Sequence, residues 1–140
     1  MSEENKALSW RFFEEVWNNK NVDAIDEIMA ADFVGHSVPP QLPPNREGLK
    51  QYVKIYQFAF PNTNFRPDDQ IAEEDKVVTR WTAVGKHEGE LMGIPATGKE
   101  VTVTGITIDR HAGGKIAESS FEFDAMGLMI QIGAVPPPGE

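Results

Sequence analysis

The chain has 140 residues, with 22 acidic against 13 basic side chains and a net charge of −9. Such a charge repels phosphate backbones and anionic bilayers, which argues against nucleic acid and membranes as partners. There is no cysteine, so disulfides, thiolate metal sites and cysteine nucleophiles are excluded. The first residues lack the basic stretch and apolar run of a signal peptide, and nowhere do about eighteen apolar residues follow one another, so the expected location is cytoplasmic. The length predicts one domain over residues 1–135, with 136–140 as a flexible tail.

Residues 5–19 carry Leu8, Phe12, Phe13, Val16 and Trp17 at spacings that share one broad helical face. Asn21 offers a cap for a second short helix whose buried stripe is Ile25, Ile28 and Met29. The apolar segment 32–36 leads into a proline-rich stretch, 38–44, that reads as a loop or flap. Asn45 then caps a third helix carrying Leu49, Tyr52, Val53, Tyr56 and Phe60, which Pro61-Asn62 stops.

Beyond about residue 63 the period changes to two. Val77, Thr79, Trp81 and Ala83 alternate against Val78, Arg80, Thr82 and Val84, and a hairpin of strands follows over 100–110 and 115–124, turning at 111–114. Gly105 stands where the apolar parity passes from Val101 and Val103 to Ile106 and Ile108, which predicts a bulge. Residues 125–133 read as a short apolar helix or turn. Helices followed by strands predict an α+β domain in which three N-terminal helices cover a curved antiparallel sheet.

Several strings, taken in order, resemble the SnoaL-like polyketide cyclases. They include Phe12-Phe13-Glu14-Glu15-Val16-Trp17-Asn18, Asp32-Phe33-Val34-Gly35-His36, Arg46-Glu47-Gly48-Leu49-Lys50, Ala59-Phe60-Pro61, the stretch 85–99, Gly114-Lys115-Ile116, Phe123-Asp124-Ala125-Met126-Gly127-Leu128 and Gln131-Ile132-Gly133. The resemblance implies the cone-shaped fold of the nuclear-transport-factor-2-like superfamily, a cystatin-like α+β barrel. It also implies a cofactor-free, metal-free intramolecular aldol reaction on an apolar carbonyl compound, and a homodimer formed through the outer face of the sheet. The family's acid and histidine positions fall on Phe121 and Thr107 here, so the known acid-base pair is replaced.

If those positions face the cavity, period two adds Ser119 and Phe123 to Phe121 on the last strand, and Asp109 to Thr107 on its neighbour. Asp109 has two readings: a desolvated carboxyl of raised pKa, or a solvated one at a strand end. His36 and His87 are the other acid-base candidates. Trp17, Phe33, Tyr52, Tyr56, Trp81, Met92 and Met126 are candidate lining residues, and simple core packing is the competing reading for most. Arg110 is expected to pair with a carboxylate across the hairpin. Glu122 and Asp124 are expected on the opposite face of the strand, with Asp124 turning inward only if a bulge intervenes. The histidines show no paired metal-ligand spacing. Three functions stand at this point: an apolar-carbonyl enzyme of the cyclase type, a non-catalytic binder of a hydrophobic metabolite, and an epoxide-hydrolase or ketosteroid-isomerase relative.

Overall fold

A computed structural model describes residues 2–136. The tail expected at 136–140 lies, apart from Pro136, outside the described residues. Helix α1, Ser2–Arg11, runs without interruption into a π-helical segment, Phe12–Asn18, which buries Phe13, Val16 and Trp17. A 3-10 turn at Val22–Ala24 leads into α2, Ile25–Ile28. Asn21 occupies the cap position, but its side chain makes no cap hydrogen bond, in contrast to the expected cap. Met29 is extended and opens strand β1, Met29–Gly35.

Helix α3, Arg46–Ala59, has the predicted cap: the Gly48 amide donates to Asn45 Oδ1 at 3.0 Å. Four strands follow: β2 Asn64–Glu73, β3 Lys76–Lys86, β4 Glu100–Ala112 and β5 Lys115–Phe123. The last helix, α4 Ala125–Gln131, is capped by Asp124, whose side chain accepts from the Gly127 amide. Asp124 is thereby held at a helix start and not turned inward.

The five strands form one sheet in the order β1-β5-β4-β3-β2. β1 runs parallel to β5, and the other neighbours are antiparallel. Along β4 burial alternates without a break: Val101, Val103, Gly105, Thr107, Asp109 and His111 face inward. The expected bulge at Gly105 is absent, because the β3–β4 register is continuous through Trp81↔Gly105. Ile106 and Ile108 therefore do not change face; they stand on the outer side of the sheet, 46% and 45% exposed. Glycine is required at 105 for another reason. A Cβ there would lie 2.2 Å from Cζ2 of Trp81 and 2.8 Å from the Glu122 carbonyl oxygen, so the absence of a side chain lets the indole lie flat on the strand.

The helices cover the concave face. Phe13 stacks on Phe65 with ring centroids 5.5 Å apart, Trp17 lies 4.8 Å from Phe65, and Phe65 lies 4.9 Å from Trp81. These aromatic contacts join the helical hairpin to β2 and β3 through the largest apolar surfaces in the chain. No helix among the described residues is long and apolar enough to cross a membrane.

Candidate functional site

Between the helices and the concave face lies a cavity enclosing about 930 Å³ of empty space, its open mouth included. The π-helical segment contributes Phe12, Phe13 and Trp17, and β1 contributes Met29 and Phe33. Tyr52 and Tyr56 project from α3 one turn apart, their rings 5.0 Å from centroid to centroid. The sheet supplies Trp81, Val103, Thr107, Ser119, Phe121 and Phe123, and Leu128 of α4 closes one end. None of the lining residues is Asp, Glu, Lys, Arg or His.

The polar points of this wall are hydroxyls, and their partners fix what they can offer. Trp81 Nε1 donates to Thr107 Oγ1 at 2.9 Å. With one lone pair of that oxygen occupied by an N–H, the threonine proton is left to donate. The Tyr52 and Tyr56 hydroxyls hydrogen-bond one another, and burial pushes both pKa values up, so both stay protonated at neutral pH.

One residue further along the same inward face, beneath α1, the chemistry changes. Asp109 is 3% exposed and stands outside the cavity lining. Ser9 Oγ donates to Asp109 Oδ2 at 2.8 Å and lies 2.9 Å from His111 Nε2. Burial raises the Asp109 pKa from 3.8 to about 6, partly offset by hydrogen bonds from the Ser9 and Ser119 hydroxyls. The desolvated reading of Asp109 therefore describes its surroundings, and the solvated one does not. Burial lowers the His111 pKa, which favours a neutral ring. A neutral ring that donates from Nε2 to Ser9 leaves Nδ1 as a bare acceptor, and Nδ1 has no hydrogen-bond partner.

His36 stands away from this cluster. Its side chain is 51% exposed and pairs with Glu118 at 2.7 Å, while Arg110 pairs with the other oxygen of the same carboxylate. The cross-hairpin partner expected for Arg110 is thus Glu118. His87 is fully buried: Nδ1 sits 3.0 Å from Thr97 Oγ1, the ring packs on Phe60 at 5.3 Å, and Nε2 has no partner. Neither histidine lines the cavity.

Trp17, Phe33, Tyr52, Tyr56, Trp81, Thr107, Ser119, Phe121 and Phe123 all line the cavity. Met92 does not. It is 64% exposed, in a left-handed backbone conformation with φ of 45°, on the loop between β3 and β4. Met126, also outside the lining, is 61% exposed. The proline loop is fastened as a wall: the Gly35 amide donates to the Pro44 carbonyl, and Ser37 Oγ both accepts from the Phe121 amide and donates to its carbonyl. Val38 of this loop lines the cavity.

Ser9 and His111 are not among the site residues expected from the sequence. Ser9 shares the stripe of Phe13 and Val16, at spacings of four and seven, and a hydroxyl on an apolar stripe was the available signal. His111 was placed in a turn, whereas β4 continues to Ala112.

The sequence profile described as SnoaL-like polyketide cyclase matches residues 7–132. The chain belongs to this family. Among solved structures, TsrD from Streptomyces laurentii superposes with a TM-score of 0.87 at 25% identity, over 96% of this SnoaL-like chain and 98% of that one. AclR from Streptomyces galilaeus also gives 0.87, at 26% identity, over 98% of this chain and 85% of that one. A SnoaL-like polyketide cyclase from Agrobacterium tumefaciens, at 12% identity and a TM-score of 0.75, covers 92% of this chain and 98% of that one and shares the fold. No curated protein matches. The expected α+β cone of this family, with its curved sheet and N-terminal helices, is the fold observed.

Proposed function

We propose that this SnoaL-like chain binds an apolar, uncharged carbonyl compound in the aromatic cavity, with Trp17, Phe33, Tyr52, Tyr56, Trp81, Phe121 and Phe123 against its faces and Thr107 donating to its carbonyl oxygen. The observation that carries this reading is the Thr107 hydroxyl, whose oxygen already accepts from the Trp81 indole N–H, inside a wall without Asp, Glu, Lys, Arg or His. A carbonyl oxygen satisfies such a donor. A carboxylate or ammonium group entering the same space would lose its hydration without gaining an oppositely charged partner.

The test uses β-tetralone, a bicyclic aromatic ketone, and a naphthoate anion of similar size. Quenching of tryptophan fluorescence by β-tetralone, with at least tenfold weaker binding of the anion, is the expected result. Absence of saturable quenching by the ketone, or equal affinity for the anion, overturns the reading.

With Phe121 and Thr107 at the family's acid and histidine positions, the uncharged wall also supports non-catalytic retention of the ligand. Cofactor-free isomerisation or aldol cyclisation needs a base brought in from behind the wall. Among the described residues no group of three or more His, Asp or Glu side chains is arranged to hold a metal ion.

A second copy of the chain is the proposed partner. On the outer face, Ile71, Val78 and Ile108 lie in one register row, and Ile106 stands in the next, between Arg80 and Glu122. An apolar strip bordered by one cation and one anion is self-complementary about a two-fold axis. Light scattering at micromolar concentration is expected to give a dimer, and a monomer counts against this assignment.

A further inference from the structure

The wall has no acid or base, yet a buried carboxyl lies directly behind one of its hydroxyls. Asp109 and Ser119 are register partners on β4 and β5. Ser119 lines the cavity, whereas Asp109 does not, so this cross-strand pair sets a hydroxyl in the wall beside a carboxyl behind it, close enough for that hydroxyl to help hold the Asp109 pKa down. Behind Asp109 the chain of donors continues, from His111 Nε2 to Ser9 Oγ and from Ser9 Oγ to Asp109 Oδ2, at 2.9 and 2.8 Å. Asp109 thus stands between a serine that donates to it from the helix side and a serine beside it on the cavity side.

We propose that Ser119 relays a proton between a ligand in the cavity and Asp109, so that Asp109 serves as the acid-base store that the cavity wall lacks. This inference rests on the binding of a carbonyl compound proposed above. A C–H bond next to the carbonyl breaks and its proton passes to Ser119 Oγ. In the same step the Ser119 hydroxyl proton passes to Asp109. The electron pair of the broken bond forms the enolate, and its oxygen faces the Thr107 hydroxyl. Return of a proton along the same path, to the same or another carbon, regenerates the carboxylate without any oxidant or co-reactant; the original proton gives isomerisation, and one swapped with cavity water at the Ser119 hydroxyl gives exchange. Ser119 is the catalytic residue here; Asp109 acts through it, and Ser9 positions Asp109.

The surroundings suit this role. Val77 of β3 faces Asp109 across the ladder without a charge. His111 on β4 is reached through Ser9 of α1, and Asp75, in the β2–β3 turn, acts on His111 and not on Asp109. Burial places the ionisation of Asp109 near neutrality, where a general base transfers protons efficiently.

The experiment follows the loss of α-protons of β-tetralone in deuterated water by NMR, after fluorescence quenching has established how much of the ketone is bound. Wild type is expected to accelerate exchange by about a hundredfold or more over buffer, with a rate that rises with pH through about 6 and then levels. Ser119→Ala is expected to bind the ketone and lose most of the acceleration, Ser119→Thr to restore it in part, and Asp109→Asn to abolish the pH-dependent rise. The relay is overturned if bound ketone exchanges no faster than in buffer, or if Ser119→Ala exchanges like wild type. Should Asp109→Asn fail to fold, the two Ser119 variants and the wild-type pH profile decide. Loss of quenching in wild type itself refutes the binding reading instead.

Discussion

The inward face of β4 and β5 holds two environments one residue pair apart. Around Thr107 and Phe121 it is open, aromatic and uncharged; around Asp109, with Ser119 at the boundary, it is sealed by α1 and carries a carboxyl group. In the first, rings make the surface and hydroxyls supply direction. In the second, serine hydroxyls only partly offset the desolvation of an acid that no cation neutralises. The difference teaches that a charge missing from a cavity wall can be kept just behind it, where the covering helix sets its pKa.

The open environment depends on the Trp81 indole, which lies on Gly105 and donates to Thr107. Gly105→Ala forces the ring off the strand and breaks the Thr107 bond. The expected loss is about 2–4 kcal/mol, from overpacking of about 1–3 kcal/mol plus about 1 kcal/mol for one hydrogen bond, read as a lower urea midpoint with weaker β-tetralone quenching.

The sealed environment is tested by pH. The Asp109 pKa stands at about 6 in the folded chain against 3.8 ordinarily. A raised acid contributes stability that is fully present below the unfolded value and is lost as pH rises through the folded one. Asp109→Asn cannot ionise. The stability of wild type relative to this variant is therefore expected to fall by on the order of 3 kcal/mol between pH 3.5 and 7.5, measured by urea unfolding of both proteins. Neighbouring groups common to both proteins, His111 among them, cancel in the difference.

Phe121→Asp carries an acid into the uncharged wall, at the family's acid position. It removes contacts to Tyr52 and Phe123, whose rings lie 5.5 and 6.3 Å away. The expected cost is about 2 kcal/mol in stability, with β-tetralone binding weakened about tenfold; unchanged affinity in the quenching titration would place the ligand away from β5. The smallest effect belongs to the rim. Glu118→Gln breaks the solvent-screened pairing with His36 and Arg110 and is expected to shift the urea midpoint least of these variants, by an amount that diminishes with salt.

Much of the fold was legible because its signals are periodic. The stripe of Leu49, Val53 and Tyr56 marked α3, and Val77, Thr79, Trp81 and Ala83 marked the inner face of β3. The β4 strand misled because both of its faces carry apolar residues. Ile106 and Ile108 looked like a parity change, when they belong to an outer face whose apolar character periodicity alone cannot assign. The parallel pairing of β1 with β5 joins segments some 85 residues apart and leaves no local trace. The same holds for the site. Residues alternating on β4 and β5 could be placed from period two, whereas Met92 and His87 lie on or beside a loop whose path no repeat describes. The Ser9–Asp109–His111 cluster needed a helix and a strand brought together across 100 residues.

The π-helical segment that continues α1 has a consequence for how such a cavity changes over generations. Its wide turn holds one residue more than a regular helix would, and it presents the adjacent Phe12 and Phe13 to the same space. A single-codon deletion there would tighten the turn, withdraw one ring and enlarge the chamber while leaving every strand register untouched. The helix thus works as an adjustable wall, and the sheet with its buried acid as the fixed one.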